Sequence, residues 1–209
     1  MSARSLETRS LGEVAYDALR LAFIPWQRER RITKERERVK ATRLSTRILS
    51  AGLYHSLALR VNGGVDCWGS NTQHQAPPDG VDGDFVAVAA GGGHSLALRS
   101  DGNIACWGRN DDGQAPPAGV PGNFVAIAAG VRHSLAIRVD GSVECWGDND
   151  DGQAPPTGVP GNFVAIAAGD NHSLALRRDG SVACWGSNFN GQAPPAGVSG
   201  PFRATHADL

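Results

Sequence analysis

The 209-residue sequence contains few lysines, four cysteines and no long apolar run. A membrane-spanning helix needs about 20 consecutive apolar residues, so none is predicted. The apolar patch at residues 19–26 is interrupted by Arg20 and Pro25, and no small-residue cleavage site follows it. We therefore expect no secretory signal and a cytoplasmic protein.

Positive charge is also scarce outside one short segment. The net charge is -1, which excludes a polycation that binds nucleic acid through its overall charge. Residues 1–45 carry a net charge of +5 and residues 46–209 a net charge of -6, and both lysines lie in the first segment. Such a change of charge is typical of a structural boundary, so we expect a basic segment at 1–45 and a separate unit at 46–209.

Sequence motifs for catalysis or metal binding are missing as well. The sequence shows no nucleophile–base signature, no phosphate-binding glycine loop and no zinc motif. The stretch from Asp148 to Gly152 resembles a calcium loop, but Gly152 and Val159 stand where that loop needs ligands. We therefore expect a protein that is not an enzyme and has no cofactor or metal.

Four copies of one 39-residue unit make up most of the sequence. The same step relates the four His, the four Trp-Gly and the four Gln-Ala-Pro segments. The repeated His and Trp residues are His55, His94, His133 and His172, and Trp68, Trp107, Trp146 and Trp185. A period of this length predicts a repeat architecture.

Each copy has the alternation of β-strands. In the third copy Val125 and Ile127 alternate with Phe124 and Ala126, which indicates a strand with one face more buried. An Asp-Gly or Asn-Gly pair follows the second apolar run of each copy, and it predicts a hairpin with a type I′ turn. The hairpin pairs are Asn62-Gly63, Asp101-Gly102, Asp140-Gly141 and Asp179-Gly180. Short sheets at this spacing predict an all-β propeller.

The repeat resembles the regulator-of-chromosome-condensation repeat in the segment AAG-x-x-HSLAL-x-x-DG-S-V-x-CWG-x-N-x-x-GQ. Its GQAPPAGV ending is similar to that of a bacterial subgroup, which includes a β-lactamase-inhibitor propeller. The resemblance covers residues 46–209. It implies a partial propeller of four blades plus the start of a fifth, where family rings usually have seven. The open ends are covered by self-association or by residues 1–45, or belong to a truncated product.

The repeated His and Cys residues are expected to be structural. Equivalent positions in separate blades lie around an axis, whereas zinc ligands must converge within about 2.1 Å of the metal. Disulfide-bonded residues need Cα atoms within about 7 Å, so free and mostly buried thiols are predicted at the Cys positions. These positions are Cys67, Cys106, Cys145 and Cys184.

Positions that differ between the copies are the candidates for partner binding, because a repeat scaffold varies its binding loops and keeps its frame. They lie just before the repeated His and just after Trp-Gly. The alternative explanation of this variation is neutral drift in exposed turns. The candidate residues are Tyr54, Arg109, Asp111, Asp112, Arg132, Asp148, Asp150, Asp151 and Phe189.

Residues 1–45 have a helical pattern, with a capping box at Ser10 and Glu13. The polar second half is interpreted as a solvated helix, with a basic docking arm as the alternative. For the whole chain we expect a non-catalytic protein-binding module. Regulation of a small GTPase by nucleotide exchange and inhibition of a secreted hydrolase are the alternatives that the resemblance implies.

Overall fold

The computed structural model describes residues 48–202. The helices expected within residues 1–45 lie outside this range. Within it, no helix is long and apolar enough to cross a membrane.

Twelve strands form four antiparallel three-stranded sheets, in which each middle strand pairs with both neighbours. We number the sheets as blades 1 to 4 along the chain. Blade 1 is β1 (Leu49–Ala51), β2 (His55–Leu59) and β3 (Val65–Gly69); blade 2 is β4 (Phe85–Ala90), β5 (His94–Arg99) and β6 (Ile104–Gly108); blade 3 is β7 (Phe124–Ala129), β8 (His133–Arg138) and β9 (Val143–Gly147); blade 4 is β10 (Phe163–Ala168), β11 (His172–Arg177) and β12 (Val182–Gly186). The all-β propeller arc of four blades that the repeat predicts is confirmed.

The first strand of blades 2 to 4 departs from simple alternation. In blade 3 the register of β7 against β8 shifts between Phe124 and Ala126. This bulge brings Phe124 and Ile127 to the same buried side, although the sequence pattern placed them on opposite faces. A bulge adds one residue to a strand and re-aims the side chains beyond it, so both large side chains reach the core.

The hairpins lie where the sequence predicts them, but the predicted turn type is wrong. A type I′ turn needs positive φ at both central residues, whereas only the glycine of each pair has it, as in Gly141 with φ 85°. In blade 3 the Gly141 N–H donates to the Arg138 carbonyl and the Arg138 N–H to the Ser142 carbonyl, which encloses a three-residue loop. The Asp140 carboxylate accepts the Ser142 N–H at 2.9 Å, and this side-chain hydrogen bond stabilises the turn.

The hydrophobic core lies between neighbouring blades. Between blades 1 and 2, Leu57 and Val65 pack with Phe85 and Val88, and the same contact recurs between the later blades. An arginine covers the outer side of each of these Phe rings; the Arg138 guanidinium lies 4.8 Å from the centre of the Phe124 ring. Blades 2 and 3 therefore each contribute one side of the sheet to the blade before and the other side to the blade after.

Candidate functional site

Buried polar side chains connect each blade to the next. His55 Nε2 lies 2.9 Å from Ser95 Oγ, and Ser95 Oγ donates to the Gln75 carbonyl at 2.9 Å. The same carbonyl accepts the Trp107 indole N–H at 2.9 Å. Two further copies of this contact link blades 2 to 3 and 3 to 4: His94, Ser134, Gln114 and Trp146, then His133, Ser173, Gln153 and Trp185.

The direction of these bonds fixes which ring nitrogen of each histidine carries a proton. A carbonyl only accepts, so the serine hydroxyl must donate to it and accept from the His Nε2–H. The other ring nitrogens of His55, His94 and His133 are buried without a partner among the described residues. Burial lowers the pKa of His94 and of His133 to about 4, so both rings are neutral at physiological pH.

A serine within 3 Å of a histidine also fits the nucleophile and base of a hydrolase, but this geometry does not support that chemistry. Ser134 and His94 are fully buried, and the Ser134 proton points to the Gln114 carbonyl instead of the imidazole. A general base needs a pKa near the working pH and a substrate within reach. The contact joins neighbouring blades through His55, His94 and His133. The serine and the glutamine of this joint recur at the 39-residue step, but the repeat pattern alone assigns no role to either residue.

The nine candidate partner-binding residues all lie at one end of the blades, which we call the loop face. It consists of the loops between the first and second strands and the loops that follow the third strands. In each blade a backbone hydrogen bond joins these two loops, as between the Asp148 N–H and the Arg132 carbonyl at 2.9 Å. The Asp-Gly turns lie at the opposite end, which we call the turn face.

Repeated residues hold the loops that carry the variable ones. In the loop after β9 the Asn149 side-chain oxygen accepts the Ala154 N–H at 2.8 Å, and the Gln153 side-chain oxygen accepts the Asp151 N–H at 2.9 Å. The same bonds recur in the other three copies. A constant frame therefore presents different side chains at corresponding places.

Arg132 connects the loops of two blades. Its guanidinium binds both carboxylate oxygens of Asp112 in blade 2, at 2.5 and 2.9 Å, and lies 3.5 Å from Asp148 in its own blade. Arg109 binds Asp111 at 2.8 Å within a single loop. Asp112, Arg132 and Asp148 thus form one ion-pair network. Arg132 holds the loops of blades 2 and 3 together, and part of its side chain remains exposed to a partner.

The remaining candidates are exposed. Tyr54 in blade 1 and Phe189 in blade 4 are 74% and 91% exposed, and Asp150 and Asp151 lie on the surface of the blade 3 loop. The two aromatic residues belong to opposite ends of the blade series, whereas the charged candidates lie in the two central blades. Within residues 48–202 no group of three His, Cys, Asp or Glu side chains is arranged to hold a metal ion.

All four cysteines are free thiols on the third strands. Burial raises the pKa of Cys106 and of Cys145 to about 12, and burial together with the nearby Asp66 raises that of Cys67 to about 11. A thiol with a raised pKa is a poor nucleophile, so these side chains act as small apolar groups in the core.

Known structures share this arrangement, and one of them is described with its binding to other proteins. Prp20p of Saccharomyces cerevisiae, whose structure was determined together with its binding to Gsp1p and histones, is 27% identical, with a TM-score of 0.57 over 66% of this chain and 44% of Prp20p. Human WBSCR16 is 26% identical, with a TM-score of 0.61 over 72% of this chain and 49% of that protein. The CRINKLY WD40 ectodomain of the Arabidopsis thaliana receptor kinase ACR4 is 27% identical, with a TM-score of 0.55 over 72% and 51%.

This chain spans about half the length of these structures or less. No curated protein matches the sequence significantly. The family model for the regulator of chromosome condensation (RCC1) repeat matches residues 47–75, 85–114, 124–153 and 163–192, which together are more than half of the chain. The chain belongs to the family of the RCC1 repeat.

Proposed function

We propose that this chain is a non-catalytic module that binds another protein through its loop face. The observation that carries the proposal is that all nine variable candidates, from four different blades, lie at one end of the sheets. Seven of them lie on the loops after the third strands, which the same side-chain hydrogen bonds hold in every copy. Tyr54 and Arg132 lie on the neighbouring loops, which a backbone hydrogen bond joins to these. Aromatic residues and arginines are the side chains that most often anchor protein interfaces. A rigid frame with varied loops also loses little conformational freedom on binding.

The charge of the loop face favours a basic partner segment. The loops of blades 2 to 4 contain six aspartates and two arginines. Arg109 is paired with Asp111 of its own loop, and Arg132 with aspartates of two other loops of the loop face. Opposite charge raises the rate of encounter and selects between partners. Prp20p, the relative described with histones, offers a precedent for a basic partner.

Titration of the full chain with purified core histones, as basic protein probes, tests this proposal. The D150N/D151N variant removes two exposed carboxylates from the loop face. We expect it to weaken binding by about fivefold to thirtyfold, because charges at an interface rim contribute modestly and are screened by salt. D79N/D82N removes two exposed aspartates on either side of Val81, which bridges to Val65 at the turn-face end of β3 and so lies away from the loop face. Asp82 contacts the exposed side of Arg60, at 3.3 Å, and the double variant serves as the control. Equal binding by both variants, or no binding by the unaltered chain, would contradict a basic partner on the loop face.

Regulation of a small GTPase is the second candidate, because Prp20p is also described with Gsp1p. Its discriminating readout is the rate of nucleotide release from a small GTPase. A catalysed release that is lost in the loop-face variant would favour exchange over simple binding.

A further inference from the structure

The end blades each present one half of the contact that joins neighbouring blades. In every internal contact the earlier blade supplies a His ring, a Gln carbonyl and an apolar strand, which we call the trailing side. The later blade supplies a Ser hydroxyl, a Trp indole and a bulged first strand, which we call the leading side. Blade 1 has a leading side and blade 4 a trailing side, and no described residue completes the contact at either.

The leading side of blade 1 is exposed where its equivalents are buried. Leu49 is 67% exposed, whereas the residues at its position in the later blades are nearly inaccessible: Val88, Ile127 and Ile166. Trp68 is 52% exposed. Ser56 is only half-buried, whereas Ser95 and its later equivalents are fully buried.

The trailing side of blade 4 shows the reciprocal pattern. Leu174 and Val182 are half-buried, although the equivalent Leu135 and Val143 of blade 3 are buried against blade 4. His172 and Gln192 are also half-buried, whereas His133 and Gln153 are buried. The incompletely buried apolar and polar groups of blade 4 are therefore complementary to those on the leading side of blade 1.

We propose that two copies of this chain join head to tail, with the trailing side of blade 4 of each copy against the leading side of blade 1 of the other. His172 Nε2–H then donates to Ser56 Oγ of the partner subunit. The Gln192 carbonyl accepts that hydroxyl and the indole N–H of Trp68 of the partner subunit. The new contact continues the three that already exist within the chain.

Head-to-tail pairing closes into a ring when the rotations at the contacts between blades add up to one full turn. Two four-blade chains related by a two-fold axis then form a ring of eight blades, within the range of about four to eight blades known for propellers. Closure also buries the exposed apolar sides of blades 1 and 4, which an unpaired chain would leave available for aggregation.

Phe202 fits the same arrangement. Its N–H donates to the Gly180 carbonyl at 2.9 Å, as the N–H of Phe163 does to that of Gly141, so Phe202 occupies the place of the first Phe of a following blade. The partner's blade 1 has Thr46 at that place in the repeat. Phe202, which is 47% exposed, supplies the ring that this blade lacks.

Sedimentation of the full 209-residue chain across a concentration series tests the proposal first. The expected species has twice the chain mass of 21.9 kDa. L49D on the leading side and L174D on the trailing side should each raise the dimer dissociation constant about a hundredfold or more, because an unpaired carboxylate would be buried in an apolar contact. V61D, at a fully exposed residue of the same blade as Leu49, is the control and should leave the dimer intact.

Mixing the two disrupted variants separates head-to-tail pairing from any other dimer. L49D keeps an intact trailing side and L174D an intact leading side, so the mixture should form a heterodimer although neither variant pairs alone. Circular dichroism checks that each variant is folded, and H172E replaces L174D if that variant is not. A monomeric unaltered chain would overturn the proposal. Failure of the mixture to pair would overturn it equally, since the dimer would then use a different surface.

Discussion

At the scale of single residues, the buried histidines connect sequence, packing and stability most directly. His94 and His133 are neutral in the folded chain because burial lowers the pKa of each to about 4. In the unfolded chain an ordinary histidine has a pKa of about 6.5. Between these two values the unfolded state binds more protons, so lowering the pH through this window favours unfolding.

We therefore expect the free energy of unfolding to be fully maintained above pH 6.5 and to fall as the pH drops towards 4. The two histidines together should give a slope of up to about 2.7 kcal/mol per pH unit, since one proton corresponds to about 1.4 kcal/mol per unit. Urea unfolding at a series of pH values measures it. H133Q removes one of the three histidines whose pKa is lowered by burial, His55, His94 and His133, so it should reduce the slope by about a third to a half. A slope that H133Q does not alter would show that other groups cause the acid sensitivity.

The cysteines give a second prediction at this scale. Burial raises the pKa of Cys106 and of Cys145 to about 12, and Cys184 is less buried than the other three. In the folded chain near neutral pH we expect Cys184 to react first with a thiol reagent and the other three to react slowly. The unfolded, unreduced chain should show all four thiols. Two or fewer would mean that disulfides form, contrary to the geometry of separate blades.

At the scale of elements, the ring of the repeated histidine restricts which residue can follow the first strand of a blade. A Cβ at Gly130 would collide with the His133 ring and would lie 2.6 Å from the Gly169 carbonyl oxygen of the next blade. Gly152 in the loop after β9 has φ 80° but no atom within 4 Å of its Cβ position. Alanine at Gly130 therefore measures the free-energy cost of a steric collision, and alanine at Gly152 measures the cost of a left-handed backbone conformation.

We expect G130A to destabilise the chain by about 2 to 3 kcal/mol, because the joint between blades 3 and 4 must shift. G152A should cost about 1 kcal/mol, because only the backbone conformation is strained. Denaturant midpoints of the two variants provide the comparison. If G130A costs no more than G152A, the His133 ring is not held against the strand end as described.

Strand positions follow from the sequence, but their bulges and turn types depend on neighbours. The Asp-Gly pairs locate the hairpins, yet the carboxylate of Asp140 binds the Ser142 N–H and leaves Gly141 alone with positive φ. The bulge after Phe124 is not visible in an alternating pattern, because it is the neighbouring blade that draws both Phe124 and Ile127 inward. Local patterns thus predict the elements, and the contacts between blades decide their details.

At the scale of the whole molecule, the 39-residue period predicts the blades, and the variation between copies predicts the loop face. The ion pairs of Arg132 with Asp112 and Asp148 could not be derived from sequence, since they join loops of successive blades. Nor could the role of Gln114, whose backbone carbonyl, not its side chain, receives the Ser134 and Trp146 donors. Backbone groups leave no signature in the sequence, so contacts of this kind emerge only from the fold.

The loop face is the proposed binding surface of the module. Hydrogen exchange of the full chain with and without a bound basic protein, followed by mass spectrometry, measures which segments that protein covers. Bound protein should protect residues 109–114 and 148–153 of the loop face and leave the hairpin turns at 100–103 and 139–142 unchanged, because these segments lie at opposite ends of the same blades. Protection at the hairpin turns without protection of the loops would contradict the claim.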